Sequence, residues 1–304
     1  ATCTATIYVD DSTVPMITCP SNLVLECGNA NNTTLVNNWL ASATATDGCD
    51  VSVTITNNYN GVLPALSCDL STGKVVTFTA TDDCGNTATC TATIYVDDST
   101  VPMITCPANL VLECGNANNT TLVNNWLASA TATDGCDVSV AITNNYDGML
   151  PALSCDLSAG KVVTFTATDD CGNTATCTAT IYVDDSTVPM ITCPSNLVLE
   201  CGNANNTTLV NNWLASATAT DGCDASVTIT NNYDNMLPAL SCDQSAGKVV
   251  TFTATDDCGN TATCTATIYV DDSTVPMITC PANLVLECGN ANNTTLVNNW
   301  LATA

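Results

Sequence analysis

The chain has 304 residues, of which 29 are Asp or Glu and only three are lysines, with no arginine or histidine and a net charge of −26. This balance argues against binding to a nucleic-acid backbone or an anionic membrane, since both need basic side chains to displace counterions or meet headgroups. Cations are the natural partners, and no apolar run reaches the roughly 18 residues that a spanning helix requires.

Self-similarity at a fixed period overrides length as a guide to domain count. Cys3, Cys90, Cys177 and Cys264 are equivalent, which sets the period at 87 residues. The stretch Thr79 to Pro107, TATDDCGNTATCTATIYVDDSTVPMITCP, returns unchanged at 166–194 and at 253–281. The first two copies differ at five positions: Ser21 and Ala108, Thr54 and Ala141, Asn60 and Asp147, Val62 and Met149, Thr72 and Ala159. In chain order we read 1–11 as the last strand of a preceding repeat, then repeats at 12–98, 99–185 and 186–272, and 273–304 as the N-terminal part of a fourth. Neither end falls at a sensible domain boundary, so the sequence reads as a window on a longer array. In the alternative, an N-terminal strand completes another subunit, but residues 1–9 cannot supply all that the C-terminal fragment lacks.

Within the copy that begins at Pro102, residues 102–107 and 109–114 read as short extended segments, the second with Leu110, Leu112 and Cys114 on one face. Leu122, Val123, Trp126 and Leu127 then fall at helical spacing, which predicts one or two helical turns with Asn119 or Thr120 as N-cap. Trp126 reads as a core anchor, with ligand stacking as the other option. Residues 130–133 are extended again, and Val138, Val140 and Ile142 alternate as in a half-buried strand over 138–143. Residues 144–160 read as a loop, with Met149, Leu150 and Leu153 covering a core edge. Strands over 161–168 and 174–183 follow, joined by a tight turn at 170–173. About seven short strands per period, rich in Thr and Val, predict an all-β fold of tandem antiparallel sandwiches with a short helical insert.

Cysteine is abundant, 21 in all and six per period. Regular cysteines in small domains point to an oxidising compartment and a disulfide framework. Without histidine or a C-x-x-C pair, a zinc site is not indicated.

The pattern D-x-T-x-P-x-I-x-C-P, a Trp, A-T-D-x-C, T-F-T-A-T-D-D-x-G-N-x-A-x-C and a closing I-Y-V resembles the hyalin repeat. It is carried by Asp98, Thr100, Pro102, Ile104, Cys106, Pro107, Trp126, Thr133, Asp134, Cys136, Phe165 to Asp170, Gly172, Asn173, Ala175, Cys177 and Ile181 to Val183. It is most similar to cysteine-rich versions in very large surface proteins of Bacteroidetes, gliding adhesins among them. The resemblance implies disulfide-rich immunoglobulin-like domains, an extracellular, cell-surface location, and a role in adhesion or as a stalk. Six cysteines allow fifteen connectivities from sequence alone. The implied fold favours one of them: Cys19–Cys90, Cys27–Cys68 and Cys49–Cys84 in the first repeat. In the second these become Cys106–Cys177, Cys114–Cys155 and Cys136–Cys171, and in the third Cys193–Cys264, Cys201–Cys242 and Cys223–Cys258. Each crosslink contributes roughly 4 kcal/mol on the chain-entropy model.

The same fold should gather acids at each joint. Asp97 and Asp98 would meet Asp134, Asp137, Asp169 and Asp170. The sets one period away are Asp10 and Asp11 with Asp47, Asp50, Asp82 and Asp83, and Asp184 and Asp185 with Asp221, Asp224, Asp256 and Asp257. A structural Ca2+ would relieve the repulsion, since calcium takes six to eight oxygens. Solvated turn residues are the competing reading. Short modification signals recur at Asn32, Asn119, Asn206 and Asn293 for N-glycosylation, with the overlapping Asn118-Asn119-Thr120 pattern as a second acceptor in the second repeat, and at Ser12, Ser99, Ser186 and Ser273 for O-glycosylation.

The expected function is a stiff extracellular stalk or filament with calcium at its joints, self-associating or packed against neighbouring copies in a fibre. The alternative is a binding module in every repeat for glycan, a surface or ice. No catalytic constellation is evident in the sequence, so an enzyme is not expected.

Overall fold

Alternation along the two long strands of each repeat decides which face is buried. The computed structural model describes residues 1–303. Its first repeat comprises β1 (Met16–Thr18), β2 (Leu23–Glu26), α1 (Asn32–Leu40), β3 (Thr44–Thr46), β4 (Thr54–Asn57), β5 (Lys74–Thr81) and β6 (Thr87–Asp97). Val76, Phe78 and Ala80 on β5, with Ala92, Ile94 and Val96 on β6, point inward and are buried. Their neighbours Thr77, Thr79 and Thr81 pair across the ladder with Thr91, Thr89 and Thr87 on the outer face. Threonine suits that position because its branched side chain packs well on a pleated surface.

One sheet has the order β2-β6-β5-β4, and β1 pairs antiparallel with β3 in a second, two-stranded sheet. β2 runs parallel to the last strand, Leu23 to Glu26 opposite Ile94 to Asp97. A parallel pair needs a long crossover, and here nearly the whole repeat forms it. Ile17 of β1 packs against the inner face of the larger sheet, and Cys19 is joined to Cys90 with Cα atoms 5.8 Å apart. This is an all-β, immunoglobulin-like sandwich with a helical insert.

A nine-residue helix is too short to persist alone in water, so α1 depends on its buried face. Val36 and Trp39 supply it. The Trp39 ring meets Phe78 edge-on at 5.4 Å between centroids, and its indole N–H donates to the Ser21 carbonyl at 2.7 Å. Trp126 and Trp213 repeat both contacts, which makes these tryptophans core anchors. The N-cap is Asn31, with Asn118 one period on, one residue earlier than expected and without a side-chain capping bond.

The same elements recur as β7 (Met103–Thr105), β8 (Leu110–Glu113), α2 (Asn119–Leu127), β9 (Thr131–Thr133), β10 (Ala141–Asn144), β11 (Lys161–Thr168) and β12 (Thr174–Asp184). They recur again as β13 (Met190–Thr192), β14 (Leu197–Glu200), α3 (Asn206–Leu214), β15 (Thr218–Thr220), β16 (Thr228–Asn231), β17 (Lys248–Thr255) and β18 (Thr261–Asp271), followed by α4 (Asn293–Leu301). The chain forms two compact units, Ala1–Asp184 with the first two of these sets and Asp185–Ala304 with the third and α4. Among the described residues no helix is long and apolar enough to cross a membrane.

Three local expectations need correction. Residues 1–11 form no strand. The strand expected from Val138 begins only at Ala141, and Val138 is fully exposed; the preceding loop is instead tied down through Asp137, whose carboxylate accepts the Asp170 N–H at 2.8 Å. Met149 and Leu150 are exposed, and only Leu153 of that trio packs on the core.

Replacing Trp126 by Ala should cost roughly 3–5 kcal/mol, the usual range for a buried aromatic, whereas Val138→Ala should be nearly silent because the third repeat already carries Ala225 there. Thermal melts of the two variants check this contrast, and equal destabilisation would contradict the packing described.

Candidate functional site: an acidic, disulfide-crossed joint

The parallel pairing of β2 with β6 carries both strands to the same end of the first repeat, where the linker to the second begins. Cys27 lies there, its N–H bonded to the Asp97 carbonyl at 2.7 Å, and Ser67 beside Cys68 donates its N–H to Val96 at 2.9 Å. The opposite end of the second repeat presents two loops with Cys136 and Cys171. Cys27 is joined to Cys136 and Cys68 to Cys171, with Cα separations of 5.9 and 5.1 Å.

These bonds overturn the expected Cys27–Cys68 and Cys136–Cys171 pairs. Two exit-end cysteines find partners on the entry end of the next repeat, within the 4.4–6.8 Å that a disulfide spans. Cys49 and Cys84 are exposed thiols instead of a pair, and so are Cys201 and Cys242. Cys3, Cys280 and Cys288 are likewise free and exposed. Cys106 is joined to Cys177 and Cys193 to Cys264 within their own repeats. Cys114, Cys155, Cys223 and Cys258 are disulfide-bonded as well.

The linker between the two repeats is clasped from both sides. Glu26, the last residue of β2, accepts the Ser99 N–H at 3.0 Å, the Ser99 hydroxyl at 2.8 Å and the Thr100 hydroxyl at 2.6 Å. From the second repeat, the Asn173 amide donates to the Asp98 carbonyl at 2.9 Å. The Thr100 hydroxyl, followed by the Ser99 hydroxyl and N–H, holds the Glu26 carboxyl below its ordinary value.

Asp98 is only 3% exposed and Asp169 only 6%. One oxygen of Asp98 accepts the Thr100 N–H at 3.0 Å, and one of Asp169 the Asn173 N–H at 2.7 Å. The second oxygen of each is buried without a hydrogen-bond partner. Burial pushes the Asp98 carboxyl up, with the charges of Asp134, Asp169 and Glu26 adding to the shift against the Thr100 N–H bond. Carboxylates about 4 Å apart repel by ~1 kcal/mol in water and ~4 kcal/mol at the lower effective dielectric near a protein surface. Such a site favours an added positive charge.

Asp98, Asp137 and Asp169 each bring one oxygen within 4.8 Å of the others, and Asp98, Asp134 and the Cys136 sulfur form an adjoining set. Oxygens bound to one calcium at ~2.4 Å can lie at most about twice that distance apart, so the first spacing fits. The Cys136 sulfur is committed to its disulfide, and hard cations prefer oxygen. Asp11, Asp50 and Asp82 form the same triad in the first repeat, Asp11, Asp47 and Cys49 its neighbour, and Asp185, Asp221 and Cys223 recur in the third. There too Asp256 buries an unpartnered oxygen, and Asp224 accepts the Asp257 N–H at 2.8 Å. The Cys49 thiol registers the local field, pushed up first by the Asp11 carboxylate, then by burial, Asp47 and Asp50.

Other expected ligands serve differently. Asp97 accepts the Asp98 N–H at 3.0 Å, and Asp184 presents its carbonyl to Cys114. Asp83 and Asp170 donate backbone N–H groups to the carboxylates of Asp50 and Asp137. Asp10 is exposed. Sequence reasoning missed Glu26 and Asn173; the signal was a lone Glu ending β2 and recurring with the period.

The N-glycosylation expectation fails at Asn32, Asn119 and Asn206, whereas Asn118 of the overlapping pattern is exposed. The three that fail are buried, and their amide nitrogens donate to the carbonyls of Glu26, Glu113 and Glu200 at 2.8 to 2.9 Å. Asn293 makes the same bond to Glu287. A glycan needs that nitrogen free.

No protein-family model matches the chain. It is 31% identical over 295 residues to a hyalin of Lytechinus variegatus, covering 92% of this chain and 51% of that protein. It is 30% identical over 298 residues to a hyalin of Strongylocentrotus purpuratus, covering 92% and 23%. The chain therefore spans about half the length of one relative and a quarter of the other. Among solved structures it is similar to the titin I-band fragment I67–I69 in its E-to-A variant (TM-score 0.32, 10% identity, covering 84% of this chain and 98% of that one). It is also similar to protocadherin gammaB7 EC3-6 (TM-score 0.31, 13% identity, covering 86% and 78%) and to Drosophila N-cadherin EC1-4 (TM-score 0.29, 14% identity, covering 87% and 76%). At these scores the likenesses carry no argument.

The Glu26 clasp has a definite pH signature. Because its folded-state value lies below the ordinary 4.5, the stability it lends is present above that pH and is lost as pH falls through the depressed value. Glu26→Gln should lower the melting temperature by a few degrees at neutral pH and flatten the acid limb of the stability curve. An acid limb identical to that of the parent chain would contradict the clasp.

Proposed function

We propose that the chain is a segment of an extracellular, hyalin-repeat adhesive or stalk protein, built from 87-residue domains with boundaries near residues 98, 185 and 272. Its joints are locked by disulfides and stiffened by Ca2+. One observation carries this reading: at the joint between the first two repeats, two disulfides cross from one repeat to the next beside an acidic triad, two of whose members, Asp98 and Asp169, are buried with one unpartnered oxygen each. A hinge meant to flex would not be bridged twice. Disulfides of this density persist in oxidising compartments, which supports a location outside the cell.

At the joint, Asp98, Asp137 and Asp169 would hold the ion, with Asp134 beside them and backbone carbonyls or water completing six to eight oxygens. The ion would offset the mutual repulsion of the carboxylates and fix the linker that Glu26 and Asn173 already clasp. Self-association in a fibre belongs to the same reading. In a chain of net charge −26, copies meet with least repulsion through uncharged surface, and the Thr-rich outer face of each large sheet is such a surface.

Calcium titration with calorimetry and thermal melts tests the joints. Millimolar calcium should release heat and raise the melting temperature, a chelator should reverse both, and the Asp98→Asn, Asp169→Asn double variant should lose the share belonging to its joint while remaining folded. No heat and no shift at millimolar calcium would contradict the proposal.

A further inference from the structure

A second feature recurs with the period, away from the joints. In each repeat a cavity opens between the helix and the loop after the fourth strand, with volumes of about 230, 140 and 200 Å3 in chain order. In the second repeat it is lined by Thr120, Val123, Asn124, Tyr146, Gly148 and Leu150. Val123 is buried beneath it, while Thr120 and Asn124 stand on the exposed side of α2.

The lining carries no charge. The nearby Lys161 is spent within the protein: it is ion-paired with Asp147, bonded to the Met149 carbonyl at 3.0 Å and placed 5.4 Å from the Tyr146 ring centroid. An anionic ligand finds no free cation here and meets the field of a strongly acidic chain. A cationic ligand finds the Asp147 carboxylate already paired, and in the first repeat that residue is Asn60. A neutral ligand remains, with hydroxyls for Thr120 and Asn124 and an apolar face for Tyr146 and Leu150. Cavities this far below the ~300–1,000 Å3 of drug-sized sites admit one ring, not an extended ligand.

The lip of this cavity is also where consecutive residues vary between otherwise near-identical repeats: Asn60-Gly61-Val62, Asp147-Gly148-Met149 and Asp234-Asn235-Met236. The middle position is left-handed in all three, with φ of +82°, +85° and +64°. Asparagine tolerates that conformation better than most side chains, so Asn235 keeps the turn and adds an amide to the rim.

We propose that each cavity is a subsite for one neutral sugar ring, with Thr120 and Asn124 or their equivalents bonding its hydroxyls, and that the left-handed lip residue tunes its affinity. This goes beyond the stalk reading and does not depend on it, so a failure here leaves the joints untouched.

Ligand-observed saturation-transfer spectra of the intact 304-residue chain provide the test, with glucose, galactose, mannose and N-acetylglucosamine as probes and anionic N-acetylneuraminic acid as control. At least one neutral sugar should bind with millimolar affinity and the anionic one should not. The triple variant Asn37→Ala, Asn124→Ala, Asn211→Ala lies on exposed helix surface, so it should keep its melting temperature and bind about fivefold more weakly, the loss of one hydrogen bond per site. Gly148→Asn, which copies a native lip, should strengthen binding. Absence of any neutral-sugar signal, equal binding of the anionic sugar, or unchanged affinity in the triple variant would overturn the proposal. So would a response to N-acetyl-leucinamide alone, which would mark a seat for an apolar side chain instead.

Discussion

Two disulfides that pass from one repeat to the next are the constraint on which the first joint depends. On the chain-entropy model, crosslinks closing about 100 residues each reduce the freedom of the unfolded chain by roughly 4–5 kcal/mol, with separations here of 109 and 103 residues. They also do something a crosslink within one repeat cannot. They join the exit end of one sandwich to the entry loops of the next, beside the carboxylates gathered there.

The remaining features of the joint do not need the bridges: Asp11, Asp50 and Asp82 gather, and Asn86 donates to the Asp11 carbonyl, beside the free thiols of Cys49 and Cys84. Glu26 takes up the Ser99 N–H of the linker and Asn173 the Asp98 carbonyl. What they leave unsatisfied is one oxygen each of Asp98 and Asp169. Buried unpartnered acceptors are costly, and here they converge on one point. The cost is tolerable where a cation completes the arrangement, and the lysines of this chain are too few and too far committed in their own loops to do so.

Much of the fold was legible because the signals were local. Period-two alternation in KVVTFTAT and in TATCTATIYVD places Phe165 and Ile181 inward without reference to anything distant, and the spacing of Val123 and Trp126 marks the helix. The cysteine partners were not legible for a reason inherent in repeats. Cys27 sees chemically identical loops in its own copy and in the next, and only three-dimensional packing decides between them. The acids were legible as a group but not as ligands: turn formation uses the backbone of Asp170 and the carboxylate of Asp97 for local bonds, leaving Asp98, Asp137 and Asp169 to face one another. Asn119 misled as a glycosylation signal because a three-residue pattern says nothing about burial.

The most direct test of the crossed joint is disulfide mapping of the intact, non-reduced chain by mass spectrometry after cleavage at aspartate. The structure predicts crosslinked peptides that join the sequence around Cys27 to that around Cys136, and the sequence around Cys68 to that around Cys171. Peptides joining Cys27 to Cys68 and Cys136 to Cys171 instead would place every bridge within its own repeat and remove the basis for a rigid joint.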